Sequence, residues 1–321
     1  MFNTPAIRQL RIRYPHARLL LIVHRKFEAL VAHFADVDQV VYWDGAAKGM
    51  LRVAAELRRA CAELAVILHS RTPYDVMSAV LGGCHYVLRD ENLPSGRPVP
   101  MERWLAACSA QNFQGHVIQR KLNMLSVLGC RTDQPAMVPP CLVDRTHYAR
   151  PDKIRIGFQL GASKPDRCWP PESFVRLAGM LVGYHPAIQI VLLGTAQERE
   201  LEQRFWNALD PEFAERVDSL LGKTNMSQAL DAIASLDLLV TPDTGPLHLA
   251  IALKVPTVSL FVNANPHETG PYQDPGIHRV IHQPLPDDAM PALLAAPMTH
   301  IQVETVCSAV LQALPASEPR D

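Results

Sequence analysis

The chain has 321 residues, 48% of them hydrophobic and 20% charged, a balance that excludes disorder as its main state and gives length enough for two domains. Thirty-one Lys and Arg stand against 32 Asp and Glu, for a net charge of −1, which excludes a whole-protein polyanion clamp but not a local basic patch. No apolar stretch reaches the roughly 18 residues of a transmembrane helix, and the run at 19–23 is too short for a signal peptide, so the expectation is a soluble cytosolic protein.

In chain order, residues 5–14 place Ile7, Leu10 and Tyr14 at helical spacing with arginines opposite. Residues 18–24 (RLLLIVH) and 38–43 (DQVVYW) are short apolar runs of the kind buried in parallel sheets. A helix is predicted over 49–63, a strand over 64–69, a polar loop over 70–75 and a helix to about 81. Residues 90–100 form a Pro/Gly/Ser loop, and 101–128 reads as one long helical segment with a break at Gly115. Residues 131–152 carry Pro135, Pro139, Pro140 and Pro151 with little periodicity, the signature of a linker.

The alternation then repeats. Strands are predicted over 154–160, 188–193 and 236–241, with helices over 171–182, 198–209, 225–234 and 246–253. Residues 256–262 close the series as another strand. Strand–helix alternation on both sides of a linker predicts two parallel α/β domains, over 1–135 and 153–321 with 136–152 between them. Ligands in such sheets sit at the carboxyl ends of the strands.

Residues 241–261 (TPDTGPLHLAIALKVPTVSLF) are the most informative segment. A strand runs into Asp243-Thr244-Gly245, and Pro246 suits the first helical position because its missing N–H costs nothing there. Thr244 or Asp243 can cap the helix, Gly245 admits a ligand close to the backbone, and His248 falls in the first turn. The free N–H groups and the helix dipole suit a phosphate, although an ordinary capped turn accounts for the same residues equally well. In residues 161–170 (GASKPDRCWP), Ser163, Lys164 and Arg167 supply a hydroxyl and two cations fit for a diphosphate. The alternative is a solvated loop anchored by Trp169. In residues 194–200 (GTAQERE) a carboxylate can meet a ribose diol or simply stabilise the helix start.

Other chemistries are excluded. Gly222-Lys223-Thr224 imitates the end of a P-loop, but the required earlier glycine is Val217. There is no G-x-G-x-x-G, G-x-S-x-G or H-E-x-x-H, no C-x-x-C pair, and the seven cysteines read mostly as small core residues. The first 60 residues carry a net charge of +5 and the remainder −6, which suits an anionic acceptor or a membrane surface there, or a solvated helix face.

These segments in this order resemble glycosyltransferase family nine, the ADP-heptose:lipopolysaccharide heptosyltransferases. The likeness runs from TPAIRQLRIRYPHARL through HVIQRKLNMLSVLG, IGFQLGASKPDRCWPPESFVRLA, LLGTAQE and the D-T-G-P-x-H-x-A segment to TGPY at 269–272. It implies an α/β GT-B fold of two Rossmann-like domains facing each other across a cleft. The second domain would bind ADP-heptose or a related nucleotide sugar as donor substrate, with no cofactor, metal or nucleic acid. The first would take a Kdo–lipid A type acceptor, with peripheral contact at the inner face of the inner membrane. By the resemblance, Asp243 meets the donor sugar, Thr244 and Gly245 the diphosphate, and Arg167 stands where relatives carry lysine. Ser163 assists at the phosphates, Glu198 at the ribose and Thr224 near the nucleotide, while His248 supports the turn. Transfer would invert the anomeric carbon.

The chain departs from the family pattern at its start. Relatives open with a strand and a G-D-x-L-x-x-T-P-like motif whose Asp is the proposed base, and in this chain that Asp would fall just before Met1. The expectation is therefore a first domain without its first strand and an unassigned base, since neither His69, Asp75 nor Asp44 takes that role without rearrangement. Two readings stay open: a heptosyltransferase, and a non-catalytic relative that binds nucleotide sugar.

Overall fold

The structure is a computed structural model that describes residues 1–69, 74–90, 108–111 and 115–314. It divides into two compact units, Phe2–Leu142 and Val143–Asp321.

In the first unit, α1 (Thr4–Arg13) leads into the strands β1 (Leu20–Val23) and β2 (Gln39–Tyr42), with the short α2 (Glu28–Val31) between them. Next come α3 (Ala47–Arg59), β3 (Leu64–Ile67), α4 (Tyr74–Leu81), β4 (Tyr86–Asp90), β5 (Cys108–Gln111) and α5 (Val117–Met124). The strands form two parallel sheets, β1-β2 and β3-β4-β5. One apolar cluster joins Ala6 and Leu10 of α1 to Leu88 of β4 and Met124 of α5, with Leu19, Val66 and Leu68 packed against it. Thus α1 shares its core with residues adjoining both sheets.

Two expectations need correction here. The long helix over 101–128 is not formed: residues 108–111 are a strand paired in parallel with β4, and the helix begins only at Val117. Its start is fixed by His116, whose imidazole Nδ1 accepts the Ile118 N–H in the manner of an N-cap. Residues 101–107 and 112–114, like positions 70–73 and 91–100 of the loops predicted over 70–75 and 90–100, lie outside the described residues. The cysteines also divide, with Cys84, Cys130 and Cys307 buried but Cys61 exposed.

The second unit is built on β6 (Ile154–Gln159), α6 (Pro171–Tyr184), β7 (Ile188–Leu193), α7 (Arg199–Ala208), β8 (Val217–Ser219) and α8 (Met226–Ala234). It continues through β9 (Leu238–Pro242), α9 (Gly245–Ala252), β10 (Thr257–Phe261), α10 (Pro266–Thr269), β11 (His278–His282), α11 (Pro291–Ala295) and α12 (Val303–Ala313). The 256–262 strand therefore does not close the domain: β11 extends the sheet, and α12 packs over β10 and α6.

One six-stranded parallel sheet runs in the order β11-β10-β9-β6-β7-β8. Every residue of β9 and β10 is buried, as expected for strands covered by helices on both faces. Counted from β6, this is the doubly wound order 3-2-1-4-5-6, which reverses direction between β6 and β9. The first unit has the flanking pairings of that order, β2-β1 and β3-β4-β5, while the central position held by β6 in the second unit has no counterpart among the described residues. β1 and β3 accordingly lack full burial, and Ile22 and Leu64 are each 36% exposed.

The core of the second unit includes Phe158, Trp169, Phe174, Leu177 and Phe205, all fully buried. Burial of side chains this large contributes about 1.5–3 kcal/mol apiece. Trp169 also donates its indole N–H to the Ile301 carbonyl at 3.2 Å and meets Phe174 edge to face. The 161–170 loop is thereby tied to the core immediately after its cationic residues. No helix among the described residues is long and apolar enough to cross a membrane.

Candidate functional site

A parallel sheet carries all its strand-to-helix loops on one edge. In the second unit this edge holds residues 160–170 after β6, 194–198 after β7, 220–225 after β8 and 243–248 after β9. β6 and β9 are neighbours although 78 residues separate Gln159 from Leu238, so the sheet order brings the first and last of these loops together at the reversal point.

The two loops meet through one ion pair. Arg167 Nη1 donates to Asp243 Oδ2 at 3.3 Å, with the arginine side chain 34% exposed and the aspartate 11%. The other carboxylate oxygen, Oδ1, lies 3.6 Å from His248 Nε2, just beyond hydrogen-bond length. Burial lowers the pKa of His248 from its ordinary value, and neighbouring Asp243 opposes that shift. The imidazole therefore favours its neutral form while the carboxylate is held between it and the guanidinium.

The residues after Asp243 form the start of α9. Thr244 occupies the N-cap position, but its side chain does not cap the helix. It bonds instead to Thr241 Oγ1 at 3.0 Å, and because Thr241 spends its proton on the Pro242 carbonyl, Thr244 is the donor. The expected side-chain cap is thus replaced by a hydroxyl pair that ties the turn back to β9. Helix geometry begins at Gly245, which makes Pro246 the second helical residue rather than the first. Gly245 is exposed, and a Cβ there would meet no protein atom within 4 Å. The backbone N–H groups of the first turn, with the positive end of the helix dipole, are open to an anion.

Glu198 sits at the next strand end. A Cβ on Gly161 would lie 1.9 Å from Glu198 Oε1, and one on Gly194 2.4 Å from Oε2. The carboxyl group therefore occupies a slot made by two glycines, at the ends of β6 and β7. Its Oε2 also accepts the Thr195 N–H in a capping box, so the structural role weighed from the sequence is present. Ser163 is exposed in the loop before Arg167, and Thr224 is half-buried immediately before Asn225, the N-cap of α8.

All eight residues singled out from the sequence thus lie on one edge of one sheet, with Arg167, Asp243 and His248 in direct contact. Thr241, Gly161 and Gly194 were not assigned there. The first threonine of T-P-D-T and the glycine following each strand are the available signals.

An α/β unit of this strand order belongs to the doubly wound, Rossmann-like class of folds. The solved structure of Escherichia coli ADP-heptose lipopolysaccharide heptosyltransferase II matches 97% of this chain and 94% of its own, with a TM-score of 0.77 and 20% identity. A Veillonella parvula glycosyl transferase family 9 structure matches with a TM-score of 0.78, over 97% and 92% of the two chains at 20% identity. The chain has the two-domain GT-B fold. Residues 106–291 match the model of glycosyltransferase family 9 (heptosyltransferase), and the chain belongs to that family. Lipooligosaccharide heptosyltransferase 2 of Haemophilus influenzae is 25% identical over 299 residues, covering 85% of this chain and 83% of that protein. Family membership carries a class of activity with it, glycosyl transfer of the heptosyltransferase type in lipopolysaccharide biosynthesis.

Proposed function

We propose that the chain transfers heptose from ADP-heptose to a lipopolysaccharide inner-core acceptor, with inversion at the anomeric carbon and without a metal. The observation that carries this reading is the cluster of Arg167, Asp243 and His248 beside the open first turn of α9. A nucleoside diphosphate sugar presents two anionic phosphates and a ring of hydroxyls. In the proposed complex the phosphates take the backbone of Thr244 and Gly245, with Arg167 and Ser163 beside them, and the sugar hydroxyls donate to Asp243. Glu198 meets the ribose, and Thr224 lies near the nucleotide. As the glycosidic bond breaks, negative charge grows on the departing ADP, and Arg167 with the helix start stabilises it.

The first unit takes the acceptor in this reading, a Kdo–lipid A type glycolipid. The net charge of +5 over residues 1–60 supports an anionic partner there and peripheral contact with the inner face of the inner membrane from the cytoplasm. Sedimentation with anionic and neutral vesicles tests that part, and equal binding to both would refute it.

The central test is calorimetry with ADP followed by a transfer assay with ADP-heptose and Kdo–lipid A. Binding with transfer supports the enzyme reading, binding without transfer a nucleotide-sugar-binding relative, and no binding refutes the donor site.

A further inference from the structure

We propose that Arg145 is a positioning residue for donor binding, one that fixes the two helices whose opposite ends form the donor site. The inference rests on the donor-site reading above. Arg145 is the third residue of the second unit. Its Nη1 donates to the Ala234 carbonyl at 3.2 Å, and its Nη2 to the Leu253 carbonyl at 2.6 Å. Ala234 is the last residue of α8, and Leu253 is the C-cap of α9. Carbonyls at a helix end have no intrahelical partner and carry the negative end of the dipole, so a cation is favoured at each. A guanidinium suits both at once because its N–H groups diverge in a rigid fork.

The other ends of the same helices face the site. α8 starts one residue after the candidate Thr224 and Asn225 pair, and α9 starts at Gly245, directly after Asp243 and Thr244. The helices are nine and eight residues long, which spans about 12–14 Å, and they pack against each other. Short rods of this kind pass an axial shift from one end to the other. One side chain bonded to both therefore sets the position of the α9 amide groups relative to Thr224.

The anchor is itself held. The Asp144 N–H donates to Asp231 Oδ1 on α8 at 2.8 Å, and Asp144 Oδ1 accepts both the N–H and the hydroxyl of Thr146. The turn bearing Arg145 is thus fixed to α8 on one side and closed on itself on the other. Its guanidinium does not have to be ordered when the donor arrives.

The experiment measures ADP affinity and thermal stability of the full chain for R145M, R145K and R216M. Arg216 is the matched control, since its guanidinium donates to the His185 carbonyl at the C-cap of α6 and the Ile188 carbonyl at the start of β7, not to α8 or α9. R145M is expected to weaken ADP roughly five- to tenfold, and R145K, which keeps the charge but not the fork, to recover part of that. R216M is expected to lose comparable stability with wild-type ADP affinity. Wild-type affinity in R145M, or an equal loss in R216M at matched stability, overturns the proposal. If R167Q weakens ADP while R145M does not, this inference alone fails. A wild-type chain that binds no ADP removes the donor site and this inference together.

Discussion

The Arg167 guanidinium and the Asp243 carboxylate, 76 residues apart in sequence, lie 3.3 Å from each other across the junction of β6 and β9. A pair this exposed on its cationic side contributes at most about 1 kcal/mol to stability. Its value is in poise. The arginine is held at the mouth of the site by a carboxylate, and a diphosphate arriving there competes for the same guanidinium. Asp243→Ala is expected to leave the unfolding free energy within about 1 kcal/mol of wild type while reducing kcat/KM for the donor by roughly 10- to 100-fold, the loss of one charged hydrogen bond. Melting curves and donor kinetics on the same preparations check this, and unchanged donor use would remove Asp243 from the site.

Arg167→Lys tests geometry apart from charge. Lysine supplies a point charge without the planar fork, so donor affinity is expected to fall a few-fold, while Arg167→Gln loses the charge and falls further. The ranking wild type, Lys, Gln in ADP calorimetry is the outcome that fits. Gln matching wild type would mean that the cation does not meet the phosphates.

Gly161→Ala is expected to destabilise the fold by about 1–3 kcal/mol, because the new Cβ would fall 1.9 Å from Glu198 Oε1 and 2.5 Å from its Cγ. The side chain would have to leave the slot and give up the Thr195 N–H. Adding Glu198→Ala should recover much of the loss, since the clashing atoms are gone. A double-mutant cycle in urea measures the coupling, and additive effects would show that the carboxylate does not occupy the slot in solution.

His278 on β11 gives the fold a pH dependence. Its Nδ1 lies 2.9 Å from the Thr257 hydroxyl, and burial lowers its pKa to about 4 from an ordinary 6.5, opposed by Asp274. A histidine whose folded-state pKa is depressed contributes stability that is present above pH 6.5 and lost as the pH falls toward 4. Urea unfolding at pH 7.5 and 5 should show a smaller loss in His278→Asn than in wild type. A His278 resonance titrating near pH 6.5 would contradict the assignment.

How much of this was legible beforehand depends on the range of the interaction. Between β6 and β10, the helices and every strand but β8 were readable because each is written in a local period, and the D-T-G-P turn because its residues suit a helix start, whereas β11 and α12 were not foreseen. The strand at residues 108–111 was not. Its Cys-Ser-Ala-Gln sequence lacks a β-rich apolar run, and its pairing with β4 supplies what the local pattern does not. Cysteine burial was equally unreadable, since Cys61 and Cys84 differ in their surroundings and not in their chemistry.

By itself, the sequence determined the alternation of strands and helices, the family, and the eight residues proposed for the donor. Each is set by nearest neighbours along the chain or by an ordered series of local motifs. Only the tertiary structure decided that Arg167 meets Asp243, that Gly161 makes room for Glu198, and that Arg145 reaches the ends of two helices 89 and 108 residues away. Those contacts depend on the order of strands in the sheet, which is fixed by packing between distant segments and leaves no period in the local sequence.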